Sequence, residues 1–431
     1  MRILLLLGLS AAALAAHSQA TLDEITATPG KAGGVYYAYP VSQSENTQAP
    51  KGYKPFYISH YGRHGSRYLI SDDDVSKVRG IFADADSAGA LTPLGKDVRH
   101  RLDSLWLEAR GRGGELTPLG NRQHHDIATR MYKAFPEAFP DDARLTARST
   151  TVMRCAHSMF AFVEGLKEQN PRLVIPRESS QRHMDYLNYH TPESGKYSDH
   201  RGEWFQDWKK FRQEKTNPDR MVNSLFSDSL YIRRHIDPVE LMWQLYWVAV
   251  DMQNVETQLD FFDLFTPEEL YDLWQVFNFN FFACNSSYLP ARGLHVDNAK
   301  NLLTNILETA EDYISSGDHG ATLRFGHDGN IIPLAALLRL PGAYTNETNP
   351  YLLAQSYADF KVSPMASNLQ IVFFRDKKDD IIVKVMLNER EQKLPLETDI
   401  FPFYRWEDFR SYLKEAIDTP FIDFQTPTPN Q

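Results

Sequence analysis

The chain has 431 residues, a net charge of −10 and a hydrophobic fraction of 42%, enough apolar material for a sizeable core. The negative charge excludes nucleic acid as the main partner, and it is compatible with an anionic substrate only if positive charge is concentrated at one place. Its two cysteines, Cys155 and Cys284, form neither a disulfide framework nor a metal-binding spacing; they read as small buried apolar residues, with a single disulfide in an oxidising compartment as the alternative.

Met1-Arg2 precedes an almost wholly apolar run, Ile3 to Ala16, and Ser18-Gln19-Ala20 puts small residues where a signal peptidase reads them. Residues 1–20 therefore read as a cleaved export signal, too short to span a bilayer, and no other stretch is long and apolar enough for a membrane span. The expected location is periplasmic or secreted. Pro55 to Ser59 predicts a short buried strand running into Tyr61-Gly62-Arg63-His64-Gly65-Ser66-Arg67. Leu-Thr-Pro-Leu-Gly occurs at 91 and again at 116; each copy reads as a loop-to-helix start, with threonine as cap and proline in the first turn.

Arg144 to Arg148 predicts a second strand, followed by a helix over Thr151 to Leu166 with Val152, Phe160, Val163 and Leu166 apolar. Leu173 to Ile175 predicts a third strand. A fourth, Ala321 to Phe325, ends in Gly326-His327-Asp328-Gly329-Asn330 before an apolar helix through Leu340. Gln370 to Arg375 and Ile381 to Leu387 flank a polar turn as a hairpin, Trp406 to Ile417 is a last helix, and the Thr/Pro/Asn/Gln tail reads as disordered.

Strands alternating with helices predict an α/β fold, a mostly parallel sheet with helices on both faces. The stretch 182–316 differs. Pro238 to Val255, Pro267 to Phe279 and Val296 to Ser315 carry helical periodicity, with Asp237 and Thr266 as N-caps. The expected organisation is an α/β core over 21–181 and 317–431 with an inserted α-helical domain over 182–316. Trp243, Tyr246 and Trp247 read as helical core, and the charges of Arg182 to Arg220, among them His183, His190 and His200, as a mixed surface.

Three segments place charged or nucleophilic residues directly after a predicted strand, at the edge where open α/β sheets bind ligands: Arg63 to Arg67, Arg148 to Arg154, and His327-Asp328. Metal-free hydrolysis of a phosphate ester needs planar bidentate donors, a nucleophile, and a proton donor for the departing alkoxide. Arg63, Arg67 and Arg154 suit the first need, His64 the second and Asp328 the third. Arg148 reads as a structural arginine paired with a carboxylate, His60 as a packed strand-end histidine, and Asp328 also as an N-cap.

Arg-His-Gly-x-Arg after a strand resembles the signature of the histidine phosphatase superfamily, and the distant His327-Asp328 resembles its acid phosphatase and phytase branch. Arg148-Ser-Thr-Thr-Val-Met-Arg154 and Gly114 to Gln123 are similar to further stretches of that branch. Arg-His-Gly-Ser-Arg-Tyr and Arg154-Cys155 resemble the multiple inositol polyphosphate phosphatases. Two departures stand out: Tyr68-Leu69 where the branch has proline, and His327-Asp328-Gly329-Asn330 where inositol polyphosphate phosphatases often have His-Ala-Glu.

The resemblance implies that His64 is phosphorylated, that Arg63, Arg67, Arg154 and His327 hold the phosphoryl oxygens, and that Asp328 protonates the leaving group. It implies no cofactor and no metal. The partner is a small phosphate ester, with phytate-like inositol phosphates first and a glucose-1-phosphate-like sugar phosphate or a broad acid phosphatase substrate range as alternatives. A phosphotransferase and a silent phospho-ligand-binding protein are weaker readings, and no oligomeric state is implied.

Overall fold

The computed structural model describes residues 19–40 and 46–424, so the apolar run expected to be a signal and the polar tail lie outside the described residues. Within them one sheet is built from β1 (Lys54–Arg63), β2 (Arg144–Ser149), β3 (Arg177–Ser179), β4 (Gly320–Gly326), β5 (Asn368–Arg375), β6 (Ile381–Leu387), β7 (Arg390–Glu391) and β8 (Phe403–Arg405). The order is β3-β2-β4-β1-β5-β6-β7, with β8 beside β6. The strands β3, β2, β4 and β1 run parallel, while β5 and β6 form the expected hairpin and add an antiparallel half.

β1 lies at the centre, paired to β4 on one side and β5 on the other, and is buried from Pro55 onward. It runs past the predicted Pro55 to Ser59: His60-Tyr61-Gly62-Arg63 carries little apolar text, yet two ladders hold it extended. The third strand falls later than expected, at Arg177–Ser179. Leu173 and Ile175 are buried and Val174 is 75% exposed, so the segment is anchored by alternate side chains. Pairing begins with the Pro176 carbonyl, which accepts from the Ala147 N–H.

Helices cover both faces. Pro118–Ala134 and Met153–Gln169 pack on one face, around Ile58, Phe162, Leu323 and Phe325. The buried stripe of Met153–Gln169 runs through Cys155, Met159, Phe162, Val163 and Leu166, whereas Phe160 points outward at 48% exposure. On the other face a single apolar cluster joins Tyr57, Tyr61 and Phe373 of the sheet to the helices Pro238–Asp251, Pro267–Asn285 and Lys300–Ser316. Lys300–Ser316 lies directly on the sheet, where Tyr313 stacks on Tyr57 with centroids 4.0 Å apart. Trp243 and Tyr246 are buried in this cluster.

The expected caps are present. Asp237 accepts from the Glu240 N–H, and Thr266 forms a capping box with Glu269. Both Leu-Thr-Pro-Leu-Gly copies start helices, Pro93–Ala109 and Pro118–Ala134, each with the threonine oxygen accepting from the glycine N–H. The two copies also share a docking device. A Cβ on Gly95 would sit 2.1 Å from the Leu225 carbonyl oxygen, and one on Gly120 2.2 Å from that of Ser66. In each case the threonine N–H donates to the same carbonyl. The cap motif thus seats a neighbouring backbone against a helix start, and in the second copy that backbone is the Arg63–Arg67 loop.

Candidate active site

Because β2, β4 and β1 are adjacent and parallel, the three segments that follow them meet at one edge. His64 follows β1, Arg154 lies in the first turn of Met153–Gln169 after β2, and His327-Asp328 follow β4. The His64 N–H donates to the Gly326 carbonyl and its own carbonyl accepts from Ala366, so the backbone of His64 is pinned from both sides. The Gly65 N–H donates to Ser158 Oγ, whose hydroxyl donates to the Arg154 carbonyl. Gly65 is required by crowding: a Cβ there would lie 2.5 Å from the Gly120 carbonyl oxygen.

His64 Nδ1 is 2.9 Å from the Gly65 carbonyl oxygen. A carbonyl only accepts, so Nδ1 carries the proton and Nε2 keeps its lone pair. Burial, then the charges of Arg63, Arg154 and Arg67, hold the imidazole well below its usual pKa, which favours the neutral base. Arg63 is fully buried, donating to the Val35 and Ser363 carbonyls, and its Nη2 lies 2.7 Å from Asp328 Oδ2. That approach is an ion pair without hydrogen-bond geometry, which leaves the Nη2 hydrogens free for another acceptor. Arg67 donates to the Tyr68 carbonyl and stacks over the Tyr36 ring at 4.6 Å. Arg63, Arg67 and Arg154 each carry a buried Nε with no partner among the described residues.

His327 occupies the N-cap position of the helix Asp328–Leu337 without a side-chain capping bond, so Asp328 is that helix's first residue and not the expected cap. Its Oδ1 accepts from the Gly329 N–H. Burial would raise its pKa, but Arg63, then His327, outweigh burial and hold the carboxyl below its ordinary range. The His327 ring stands 5.8 Å from that of His64, with Thr150 Oγ1 3.2 Å from its Nε2. Burial brings its pKa down to about 4. Three guanidiniums and two imidazoles beside one carboxylate make a donor set for an anion, not for a metal cation. All six residues singled out from the sequence therefore converge.

Other expectations shift. Arg148 has the Tyr186 hydroxyl as partner at 3.2 Å instead of a carboxylate. Cys155 and Cys284 are free thiols, and Cys155 Sγ lies 3.6 Å from His327 Nε2. His60 is buried as expected, packed on Phe162 and Phe325. His190, read as mixed surface, stands at the rim: a Cβ on Gly329 would be 3.5 Å from its ring and 3.5 Å from Asn285 Oδ1. Gln123, Asp251 and Asn254, which hold the loop from behind, carry no sequence signal of that role beyond Gln123's place in the Gly114–Gln123 stretch.

The model for the histidine phosphatase superfamily (branch 2) matches residues 62–388. The fold is similar to that of the multiple inositol polyphosphate phosphatase of Bifidobacterium longum in complex with inositol hexasulfate, with a TM-score of 0.76 and 19% identity over 89% of this chain and 97% of that one. It is also similar to the phytase from D. castellii, with a TM-score of 0.66 and 15% identity over 90% and 85% of the two chains. No curated protein matches the chain in sequence.

Proposed function

Since the chain belongs to the histidine phosphatase superfamily, branch 2, and is a phosphatase, we propose that it is an exported phosphomonoester hydrolase that works through a phosphohistidine at His64, with inositol polyphosphates as its substrates. One observation carries the chemistry: the bare Nε2 of a neutral His64 stands in the field of Arg63, Arg154 and Arg67, each with an N–H that has no partner among the described residues, with Asp328 paired to Arg63. The phosphoryl group docks on Arg63, Arg67, Arg154 and His327, and Nε2 attacks phosphorus in line with the ester oxygen. As the P–N bond forms and the P–O bond breaks, Asp328 gives its proton to the departing alkoxide. The carboxylate then takes a proton from the water that splits the phosphohistidine, which returns His64 and releases phosphate.

The free site holds Asp328 ionised because Arg63 neutralises it. An arriving phosphate dianion shares that guanidinium and adds its own negative charge, and both effects push the carboxyl toward protonation. Substrate binding and proton uptake are therefore linked, which favours acid conditions.

The likeness to an inositol polyphosphate phosphatase and a phytase supports the substrate class, and the helices over 182–316, in this reading an inserted domain, bring His190 and Asn285 to the rim. Phosphate release from phytate, glucose-1-phosphate and an aryl phosphate, with a chelator present and His64→Ala as control, tests the reaction. Preference for glucose-1-phosphate would replace the substrate class. Absence of turnover by folded protein, or of an acid-labile phosphoenzyme after quenching, would overturn the mechanism. Export rests on the apolar leader, and an unprocessed N-terminus in protein recovered from cells would refute it.

A further inference from the structure

Behind the Arg63–Arg67 loop lies a buried polar cluster that the catalytic steps do not use. The Ser66 N–H donates to Gln123 Oε1 at 2.8 Å, and the Ser66 hydroxyl accepts from Gln123 Nε2 at 2.8 Å. That hydroxyl donates to Asn254 Oδ1 at 2.7 Å. Asn254 Nδ2 in turn donates to Asp251 Oδ1 at 3.2 Å and to the Tyr36 carbonyl at 2.9 Å. The Leu69 backbone N–H also faces Asp251 and favours its ionised form. Ser66 and Asn254 are fully buried, and Asp251 is 2% exposed.

Nothing in the helix itself calls for Asp251 at this position. It ends Pro238–Asp251, where the helix dipole disfavours a carboxylate. Burial raises its pKa to about 7, and the charge of Arg67 is the chief influence opposing that rise. No cation lies within ion-pair distance of it among the described residues. A buried carboxylate so placed is costly unless hydrogen-bond donors compensate it.

Its partners define the need. Asp251 is tied to Ser66 through Asn254 and faces the Leu69 N–H, so it brackets Arg67 on both sides. Asn254 also fixes the backbone of Tyr36, the ring over which the Arg67 guanidinium stacks. We propose that Asp251 is a positioning residue for the phosphate-binding loop: from the end of a helix in the helical layer it sets the place and direction of the Arg67 guanidinium. The inference rests on the reading of Arg67 as a phosphate ligand.

The test compares wild type, Asp251→Asn, Asp251→Ala, Arg67→Ala and the double variant Asp251→Ala/Arg67→Ala. Inhibition by inorganic phosphate is read beside KM and kcat, with melting temperature as the check on folding. Asp251→Ala should raise KM and the phosphate inhibition constant about tenfold with a smaller change in kcat, since the group it displaces binds anion. Asp251→Asn, which keeps an acceptor, should recover part of the loss. The double variant should bind phosphate no worse than Arg67→Ala alone, because the two substitutions remove one contact. Multiplying losses, or unchanged phosphate inhibition in Asp251→Ala, would overturn the proposal. If Asp251→Ala does not fold, unchanged phosphate inhibition in Asp251→Asn overturns it equally, whereas at least a twofold weakening with unchanged kcat supports it. If wild type hydrolyses no ester, the proposed function fails separately, and calorimetric binding of inorganic phosphate to the same variants still decides the role of Asp251.

Discussion

Replacing Asp328 by asparagine keeps the side chain's shape while removing both the anion beside Arg63 and the proton for the leaving group. The two losses act in opposite directions. A phosphate charge roughly 5 Å from the carboxylate is repelled by about 3 kcal/mol at an effective dielectric of about 20. Asp328 is 25% exposed and paired with Arg63. Solvent and the guanidinium together reduce the repulsion to about 1 kcal/mol, so Asp328→Asn should bind inorganic phosphate about fivefold more tightly. Turnover moves the other way. An alkyl ester such as phytate needs the proton, and loss of a general acid slows it by about 10²–10⁴. An aryl phosphate that leaves as a stable phenolate should lose about tenfold or less. Steady-state kcat on both esters and the phosphate inhibition constant, measured at one acid pH, check these expectations together. Equal losses on the two esters, or weaker phosphate inhibition, would refute the role given to Asp328.

The free-enzyme pH profile follows from the same pair: Asp328 is ionised before substrate arrives, so the proton must enter with the ester, whose second phosphate pKa is about 6. kcat/KM should fall about tenfold per pH unit above about 6, and a profile flat to pH 8 would contradict this. His124 is fully buried with its pKa brought down to about 3 by burial, opposed by the Arg63 carbonyl. The unfolded chain titrates near 6.5, so it binds the extra proton and stability falls as pH drops from about 6.5 toward 3, by about 3 kcal/mol at pH 4 from this residue. His124→Leu should therefore flatten the pH dependence of Tm across that window, and an unchanged slope would count against the burial argument. Gly120→Ala should displace the Ser66 carbonyl that its Cβ would strike at 2.2 Å. The expected cost is about 1–3 kcal/mol of stability and at least tenfold in kcat/KM, and wild-type kinetics would refute the docking device.

What the sequence makes legible is the chemistry at strand ends. His64, Arg67, Arg154 and His327-Asp328 each follow a strand predicted from the sequence, and parallel topology does the rest. The caps at Thr92, Thr117, Asp237 and Thr266 are local signals and form as local signals should. Where the reading slips, a tertiary partner decides. The last residues of β1 are polar and are strand only because β4 and β5 flank them. Leu173 to Ile175 looks like a strand, but pairing starts only at the Pro176 carbonyl. Arg148 finds a phenol where charge alone suggests a carboxylate. Asp251 and Asn254 carry no pattern at all: they matter because a helix end meets a loop about 185 residues earlier in the chain, a meeting that no local window contains.

The central place of β1 bears on how the protein is made. The strand that leads into His64 emerges early, but its neighbours come late: Tyr57 pairs with Gly320 on one side and with Phe373 on the other. During synthesis one hydrogen-bonding edge stays open until β4 appears, about three-quarters of the way along the chain, and the other until β5 follows, an aggregation hazard that short-range helices upstream cannot relieve. Pairings of such long sequence separation form slowly. Enzyme activity should therefore be the last signal to return on refolding, after helical circular dichroism, and a chain cut before β4 should yield helices without a site.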